Sequence, residues 1–353
     1  MYSIRARCSC GPGQPFQATL IQRRQPGPKD VVIDIAYTGI CHSDIQYAQN
    51  KTGAVIFPLI PGHEIAGRVV KVGNAVARFQ VGDRVGVGCM VDSCRDCENC
   101  RQGLEQYCSG KRVLTYNSIG YDGEVTYGGY SESIVVDERF VLRIPDALNL
   151  ERAAPLLCAG ITMYSPMRHH RIGPGKRVGI VGMGGLGHVG IQIAKALGAS
   201  TTAFELDPTK EADSLRLGAD GFCLSSDGTA LQRYRSSFDL IVSTVPANVD
   251  MEAFLDMLRL DGTFVMTGVP PRPLTIPIVA LLNNRRSVSG TRSGGLAETQ
   301  EMLDFCATHG IGAEVEIIGA DDIDRAYERV EAGDVRYRFV IDINTMTEGR
   351  AER

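Results

Sequence analysis

The run Gly182-Met183-Gly184-Gly185-Leu186-Gly187 constrains the fold more than any other stretch of this 353-residue chain. It matches G-x-G-x-x-G. An apolar run at 177–181 precedes it, and an apolar-periodic segment at 187–197, closed by Gly198, follows it. That context reads as strand, tight turn and helix. Gly182 permits the turn, Gly184 lets the backbone approach a pyrophosphate, and Gly187 lets helix pack on strand, with Gly185 and Leu186 completing the loop. The helix N-terminus then favours phosphate charge. Downstream the pattern alternates: strand 201–204, helix 208–217, strand 238–245, helix 251–260, strand 263–269. Such alternation predicts an α/β unit, a doubly wound parallel sheet covered by helices.

Glu205 closes the second strand, 23 residues after Gly182. A carboxylate there can accept hydrogen bonds from both ribose hydroxyls of NAD and repels the extra phosphate of NADP. Lys210, about a helical turn further on, is placed to touch the ribose. Two other readings stand: Asp207 is the inward carboxylate, or Glu205 is a solvated strand-end charge.

Up to about Ile144 the texture differs, being rich in Val, Gly and turn residues. Strands are expected at 31–37, 67–72 and 83–87, with turns at Gly73-Asn74 and Gly82-Asp83, giving a β-rich unit of barrel type. Residues 1–7 hold no apolar signal core and read as a first strand. The tail predicts helices at 296–308 and 323–331 and a strand at 339–342, with a polar, fraying end beyond Met346. The net charge of −4 gives no general attraction to nucleic acid or an anionic membrane. The apolar run 277–282 is far too short to span a bilayer. A soluble, cytoplasmic protein is expected.

Eleven cysteines, an odd and clustered set without a secretion signal, argue for metal ligands over disulfides. Cys94, Cys97, Cys100 and Cys108 are spaced C-x2-C-x2-C-x7-C and can close a tetrahedron around zinc locally. Four sulfurs leave no open position, so the role is structural; reduced thiols or an iron–sulfur site are the alternatives. Cys89 reads as core, and Cys8, Cys10, Cys223 and Cys306 carry no expected role. Cys41, His63 and Cys158 can together supply a zinc that keeps a position for substrate, although spacing alone cannot bring them together. Asp44 can accept the free ring proton of His63. Glu64 is either an orienting group or a surface charge.

Taken together, several motifs resemble the zinc-dependent medium-chain dehydrogenases, in the cinnamyl-alcohol-dehydrogenase-like branch with its bacterial aldehyde reductases. They are Gly39-Ile40-Cys41-His42-Ser43-Asp44, Pro61-Gly62-His63-Glu64, the four-cysteine lobe, Thr115-Tyr116-Asn117, Gly128-Gly129-Tyr130-Ser131, Leu157-Cys158-Ala159-Gly160-Ile161-Thr162 and the glycine loop. The resemblance spans essentially the whole chain, with its motifs in order. It implies a GroES-like domain over 1–155 and 295–353, with a structural zinc lobe at about 89–112, and a Rossmann domain over 156–294. It implies Cys41, His63 and Cys158 on a catalytic zinc and Cys94, Cys97, Cys100 and Cys108 on a structural one. Glu64 stands as the acidic neighbour, Ser43 as the proton-shuttling hydroxyl and His42 as a pyrophosphate contact.

The implied reaction is reversible oxidation of a primary alcohol to an aldehyde, on a small-molecule substrate, in a homodimer with Ser287-Val288-Ser289-Gly290 as its candidate seam. Three positions depart from the branch. Gln46 stands where the proton relay has a His, and an amide is no base. Glu205 stands where the branch, which favours NADP, has Ser or Thr, so NAD is expected with NADP as the alternative. Leu114 replaces an aromatic of the plant substrate pocket; Arg292 is expected near its cofactor end, most simply as a solvated charge. A zinc-stabilised scaffold without chemistry, a zinc-ribbon nucleic-acid binder and a zinc-free reductase are the competing classes.

Overall fold

A computed structural model describes residues 1–346 and divides the chain into two compact units. One is Met1–Cys158 together with the segment from Gly294 on; the other is Ala159–Ser293. The expected fraying end beyond Met346 lies outside the described residues.

The first unit is built on a seven-stranded sheet. Its path runs Val315–Ile318, Arg338–Asp342, Asp30–Gly39, Ile65–Val72, Arg84–Val87 and Leu142–Arg143, with Ser133–Asp137 also paired to Asp30–Gly39. Most neighbours are antiparallel, and only the first pair runs parallel. The core beneath it gathers Ile33, Ile45, Leu59, Ile65, Val85, Tyr130 and Phe339. Tyr2–Ser9 forms the expected first strand, paired antiparallel with Phe16–Arg23.

Pairing delivers the chemistry-bearing residues to one place. Thr38 faces Ile65 across the ladder, and Gly39 N–H donates to the Glu64 carbonyl at 3.0 Å. One strand therefore ends where the other begins, which sets Cys41 beside His63. Arg338–Asp342 adds its start to the same end, with Ile40 N–H donating to the Phe339 carbonyl at 2.9 Å. Gly86 and Gly88 let the turn Ala154–Leu157 lie flat on the sheet. A Cβ on Gly86 would stand 2.7 Å from Leu157 Cδ1, and one on Gly88 3.0 Å from the Leu157 carbonyl. That close approach brings Cys158 to the sheet end.

The second unit carries a six-stranded, all-parallel sheet. Its order is Gly221–Leu224, Ser200–Glu205, Arg177–Val181, Phe238–Ser243, Leu258–Met266, Ser287–Gly290. Strand order reverses beside Arg177–Val181, so the glycine loop at that strand's end lies at the topological switch point, where doubly wound sheets bind ligands. Phe204 sits at the core, edge-on to Tyr234, Phe238 and Phe254.

Two helix expectations need correction. The helix expected over 251–260 is Met251–Asp256, and its last residues belong to the strand Leu258–Met266. Leu258 continues the apolar stripe of Met251, Phe254 and Leu255, which is why the pattern reads through; the ladder with Phe238 takes it instead. The helix expected over 208–217 opens as a 3-10 turn, Pro208–Lys210, before Glu211–Arg216.

Candidate active site and metal centres

Cys41 caps the helix His42–Ala48, and Asp44 closes the cap. The Asp44 carboxylate, fully buried, takes three contacts: from Cys41 N–H at 2.8 Å, from Gly62 N–H at 3.2 Å and from His63 Nδ1 at 3.1 Å. One side chain thus fixes a cysteine backbone and an imidazole from segments 22 residues apart (63 − 41). With Nδ1 engaged, His63 presents Nε2, which lies 3.3 Å from Cys158 Sγ. Gly62 has φ +102°, and a Cβ there would stand 2.7 Å from Tyr130 Cδ1, so the turn that aims His63 requires glycine.

Donor atoms of Cys41, His63, Glu64 and Cys158 all lie within 4.8 Å of one another. A tetrahedral zinc with bonds of about 2.3 Å to sulfur and about 2.0 Å to nitrogen separates those two donors by about 3.5 Å. The observed 3.3 Å fits that separation. The electrostatics also suit a cation. A hydrogen bond from Cys158, opposed by burial, holds the Cys41 thiol well below its usual range, while Cys158 is pushed well above it by the same contact. Burial lowers the His63 imidazole, but the charges of Asp44 and Cys89 and the hydrogen bonds to Asp44 and Cys41 together outweigh it, and the net shift is upward.

Glu64 is not a surface charge. It is fully buried, and Arg338 Nη2 donates to both its oxygens, at 2.5 and 2.6 Å, and to the Ile40 carbonyl at 2.8 Å. Burial pushes the Glu64 carboxyl up and the guanidinium opposes it; Arg338 itself is held charged by Glu64 against burial. Gly39 makes room, since a Cβ there would collide with Glu64 Oε2. Sequence reasoning missed Arg338. It opens the strand Arg338–Asp342, and its partner lies far away in sequence.

Ser43 Oγ lies 3.7 Å from Cys41 Sγ, half-buried on the first turn of the helix; His42 beside it is exposed. Gln46 is half-buried on the same helix. Cys89, expected in the core, is only partly buried, and its sulfur is hydrogen-bonded to Cys158. Tyr116 stacks obliquely on His63, ring centroids 5.7 Å apart. Leu114 is half-buried in a short strand, Val113–Leu114, paired with Met90–Asp92.

That strand pair roots the cysteine lobe. Cys94 and Cys100 sulfurs are 3.9 Å apart, Cys97 and Cys108 sulfurs 4.0 Å. Zinc bonds of about 2.3 Å to four sulfurs make tetrahedron edges of about 3.8 Å, so this set also fits the ion. Backbone N–H groups aim at the sulfurs: Cys97 N donates to Cys94 Sγ at 3.3 Å and Cys94 N to Cys108 Sγ at 3.5 Å. Hydrogen bonds from Ser109 and from the Cys100 backbone lower the Cys97 thiol to about 5. Among the described residues, these two clusters are the groups able to hold a metal.

In the second unit, Gly182 (φ +92°) and Gly187 are packed shut: a Cβ would meet Val245 Cγ1 at 2.5 Å and the Gly182 carbonyl at 1.9 Å respectively. Gly184 faces open space instead, the opening that a pyrophosphate needs. Gly185 and Leu186 are half-buried beside it, before the helix Gly187–Ala196. Glu205 is half-buried against this loop. It accepts from Met183 N at 2.7 Å and from Lys210 Nζ at 3.1 Å. Asp207 turns away to cap the following turn through Thr209 N, so Glu205 is the carboxylate that meets the glycine loop. Arg292 is exposed.

Residues 27–146 match the family model described as alcohol dehydrogenase GroES-like domain, and residues 185–308 the one described as zinc-binding dehydrogenase. The chain is 53% identical over 343 residues to the NADP-dependent alcohol dehydrogenase C 1 of Mycolicibacterium smegmatis, covering 97% of this chain and 98% of that one. A cinnamyl alcohol dehydrogenase of Sorghum bicolor superposes with TM-score 0.95 at 40% identity, over 99% and 100% of the two chains. The cinnamyl alcohol dehydrogenase of Helicobacter pylori complexed with NADP(H) gives TM-score 0.91 at 38% identity, over 98% and 99%.

Asp44→Asn places an amide N–H against donors that now meet a carboxylate. Zinc affinity at the Cys41 cluster should fall about 10–100-fold while the lobe holds its ion. Competition with a chromophoric chelator measures this; equal affinities at both centres would refute the organising role of Asp44.

Proposed function

The chain belongs to the zinc-binding dehydrogenases with an alcohol dehydrogenase GroES-like domain, and from that premise we propose how its residues divide the work of an NAD-dependent alcohol dehydrogenase. The reaction is reversible oxidation of an alcohol to an aldehyde, with small primary alcohols as the substrate class. The convergence of Cys41, His63, Glu64 and Cys158 donors within 4.8 Å, beside the Ser43 hydroxyl, carries this reading.

Cys41, His63 and Cys158 hold one zinc, and Cys94, Cys97, Cys100 and Cys108 a second. When bound, the first supplies Lewis acidity at a substrate oxygen, and the nicotinamide accepts or returns a hydride. Asp44 fixes the His63 tautomer so that Nε2 is the free donor. Ser43 takes the alcohol proton. Gln46 cannot pass it on, so the proton leaves through water or the ribose hydroxyl. Glu64, neutralised by Arg338, adds a carboxylate at the metal's edge without a net buried charge.

Glu205 supports NAD, although two of the similar proteins cited above, those of Mycolicibacterium smegmatis and Helicobacter pylori, are named for or complexed with NADP. A carboxylate at the end of this strand would accept from the ribose hydroxyls of NAD and repel the second phosphate of NADP. Lys210 favours the other cofactor in principle, but its ammonium is engaged by Glu205 at 3.1 Å. Initial rates of aldehyde reduction with NADH and NADPH test the assignment. The wild type should prefer NADH. Glu205→Ser removes the repulsion, frees Lys210 and should swing the preference by about 100-fold toward NADPH, as several kcal/mol of like-charge cost implies. A wild type that prefers NADPH would overturn the NAD assignment.

A homodimer is the proposed assembly. Ser287–Gly290 is the edge of the parallel sheet, and the segment feeding it exposes Val269, Ile278, Val279 and Leu282. An uncovered strand edge with exposed apolar residues is a template for a second copy. Light scattering should return about twice the 38.2 kDa chain mass. A monomer at micromolar concentration would rule this out.

A further inference from the structure

The metal centres leave several cysteines without a role, and two of them meet. Cys8 and Cys10 sulfurs lie 3.5 Å apart, both free, and neither belongs to a metal-donor set. Their meeting follows from the strand Tyr2–Ser9. Ser9, between them, is pinned in a bridge with Leu59: its N–H donates to the Leu59 carbonyl at 3.0 Å and its carbonyl accepts from Leu59 N–H at 2.9 Å. The Ser9 hydroxyl, on the buried side, donates to the Gly11 carbonyl at 2.9 Å. Alternation along extended backbone then sends both flanking side chains to the opposite face. Cys8 is 3% exposed, whereas Cys10 is open to solvent.

We propose that Cys8 and Cys10 form a modifiable dithiol that closes to a disulfide when it meets a low-molecular-weight disulfide such as glutathione disulfide. In the first step the Cys10 thiolate attacks one sulfur of glutathione disulfide, giving a Cys10–glutathione mixed disulfide and one glutathione thiolate. In the second, Cys8 sulfur attacks Cys10 sulfur, expelling the second glutathione thiolate, which takes up the Cys8 proton. Two protein thiols are oxidised and one glutathione disulfide is reduced. The sulfurs must close by about 1.5 Å to reach bonding distance. The chain past Cys10 (Gly11-Pro12-Gly13-Gln14-Pro15) turns at Gly13 with φ +68° and supplies the slack. Exposure sets the order of events: Cys10 is the thiol a disulfide can reach. Burial and the neighbouring Cys10 push Cys8 up to about 12, which keeps it a resolving thiol. A ring closed over one residue is strained, and strained, exposed disulfides are the reversible ones.

The location gives the modification a target. Gly13 N–H, in the same turn, donates at 2.9 Å to the carbonyl of Ala48, the last residue of the helix that carries Ser43 and Asp44. Leu59, the bridge partner of Ser9, lies four residues before His63.

The zinc-loaded protein is incubated in glutathione disulfide, quenched with an alkylating agent under denaturing conditions and cut with trypsin. The peptide 8–23 contains these two cysteines and no others. In the wild type it should escape alkylation, weigh about 2 Da less than the dithiol form and regain both thiols on reduction. Cys8→Ser should stop at a glutathione adduct on Cys10, and Cys10→Ser should leave Cys8 unmodified. A wild-type peptide that keeps two alkylatable thiols, or that stops at the Cys10 adduct with Cys8 free, overturns the proposal.

Discussion

The buried carboxylate of Asp44 is the contact on which the first unit's chemistry depends. It accepts from Cys41 N–H, from Gly62 N–H and from the His63 ring at once. A buried carboxylate is costly unless each oxygen is satisfied. The three contacts satisfy it, and they also lock a helix cap, a glycine turn and an imidazole into one geometry. Two neighbouring glycines permit the fit. Gly62 supplies the positive φ, and Gly39 leaves space for the Glu64–Arg338 pair directly behind Ile40.

Much of this was legible before any fold was known, but not evenly. The glycine loop announced strand, turn and helix because each of its glycines has a separate steric reason, and the packing of Gly182 and Gly187 against the openness of Gly184 reproduces those reasons. The four-cysteine lobe was legible because its donors are local. Cys41, His63 and Cys158 were different. Their spacing carries no signal, and only likeness to a family joined them. The fold joins them through the Thr38–Ile65 register and the small residues Gly86 and Gly88, which pattern reading does not see. Arg338 stayed hidden because a buried cation depends on a partner 274 residues away in sequence. The helix at Met251–Asp256 was read too long because Leu258 satisfies helical and strand patterns alike.

In the second unit the informative residue is Glu205, because the proposed NAD assignment rests on it. Its hydrogen bond from Met183 ties it to the glycine turn, and its ion pair with Lys210 engages a nearby cation. Asp207 is turned to its own cap, which leaves Glu205 as the carboxylate against the glycine loop. Both units therefore rely on the same device, a carboxylate placed by backbone N–H donors at the end of a strand or the start of a helix.

On the proposed function, Cys41, held by Asp44, completes a zinc centre separate from the cysteine lobe. Elemental analysis of the purified wild type beside Cys41→Ser tests it most directly. The wild type should carry two zincs per chain and the variant one, with the lobe retaining its ion. A wild type with a single zinc, or a Cys41→Ser chain that still carries two, would contradict it.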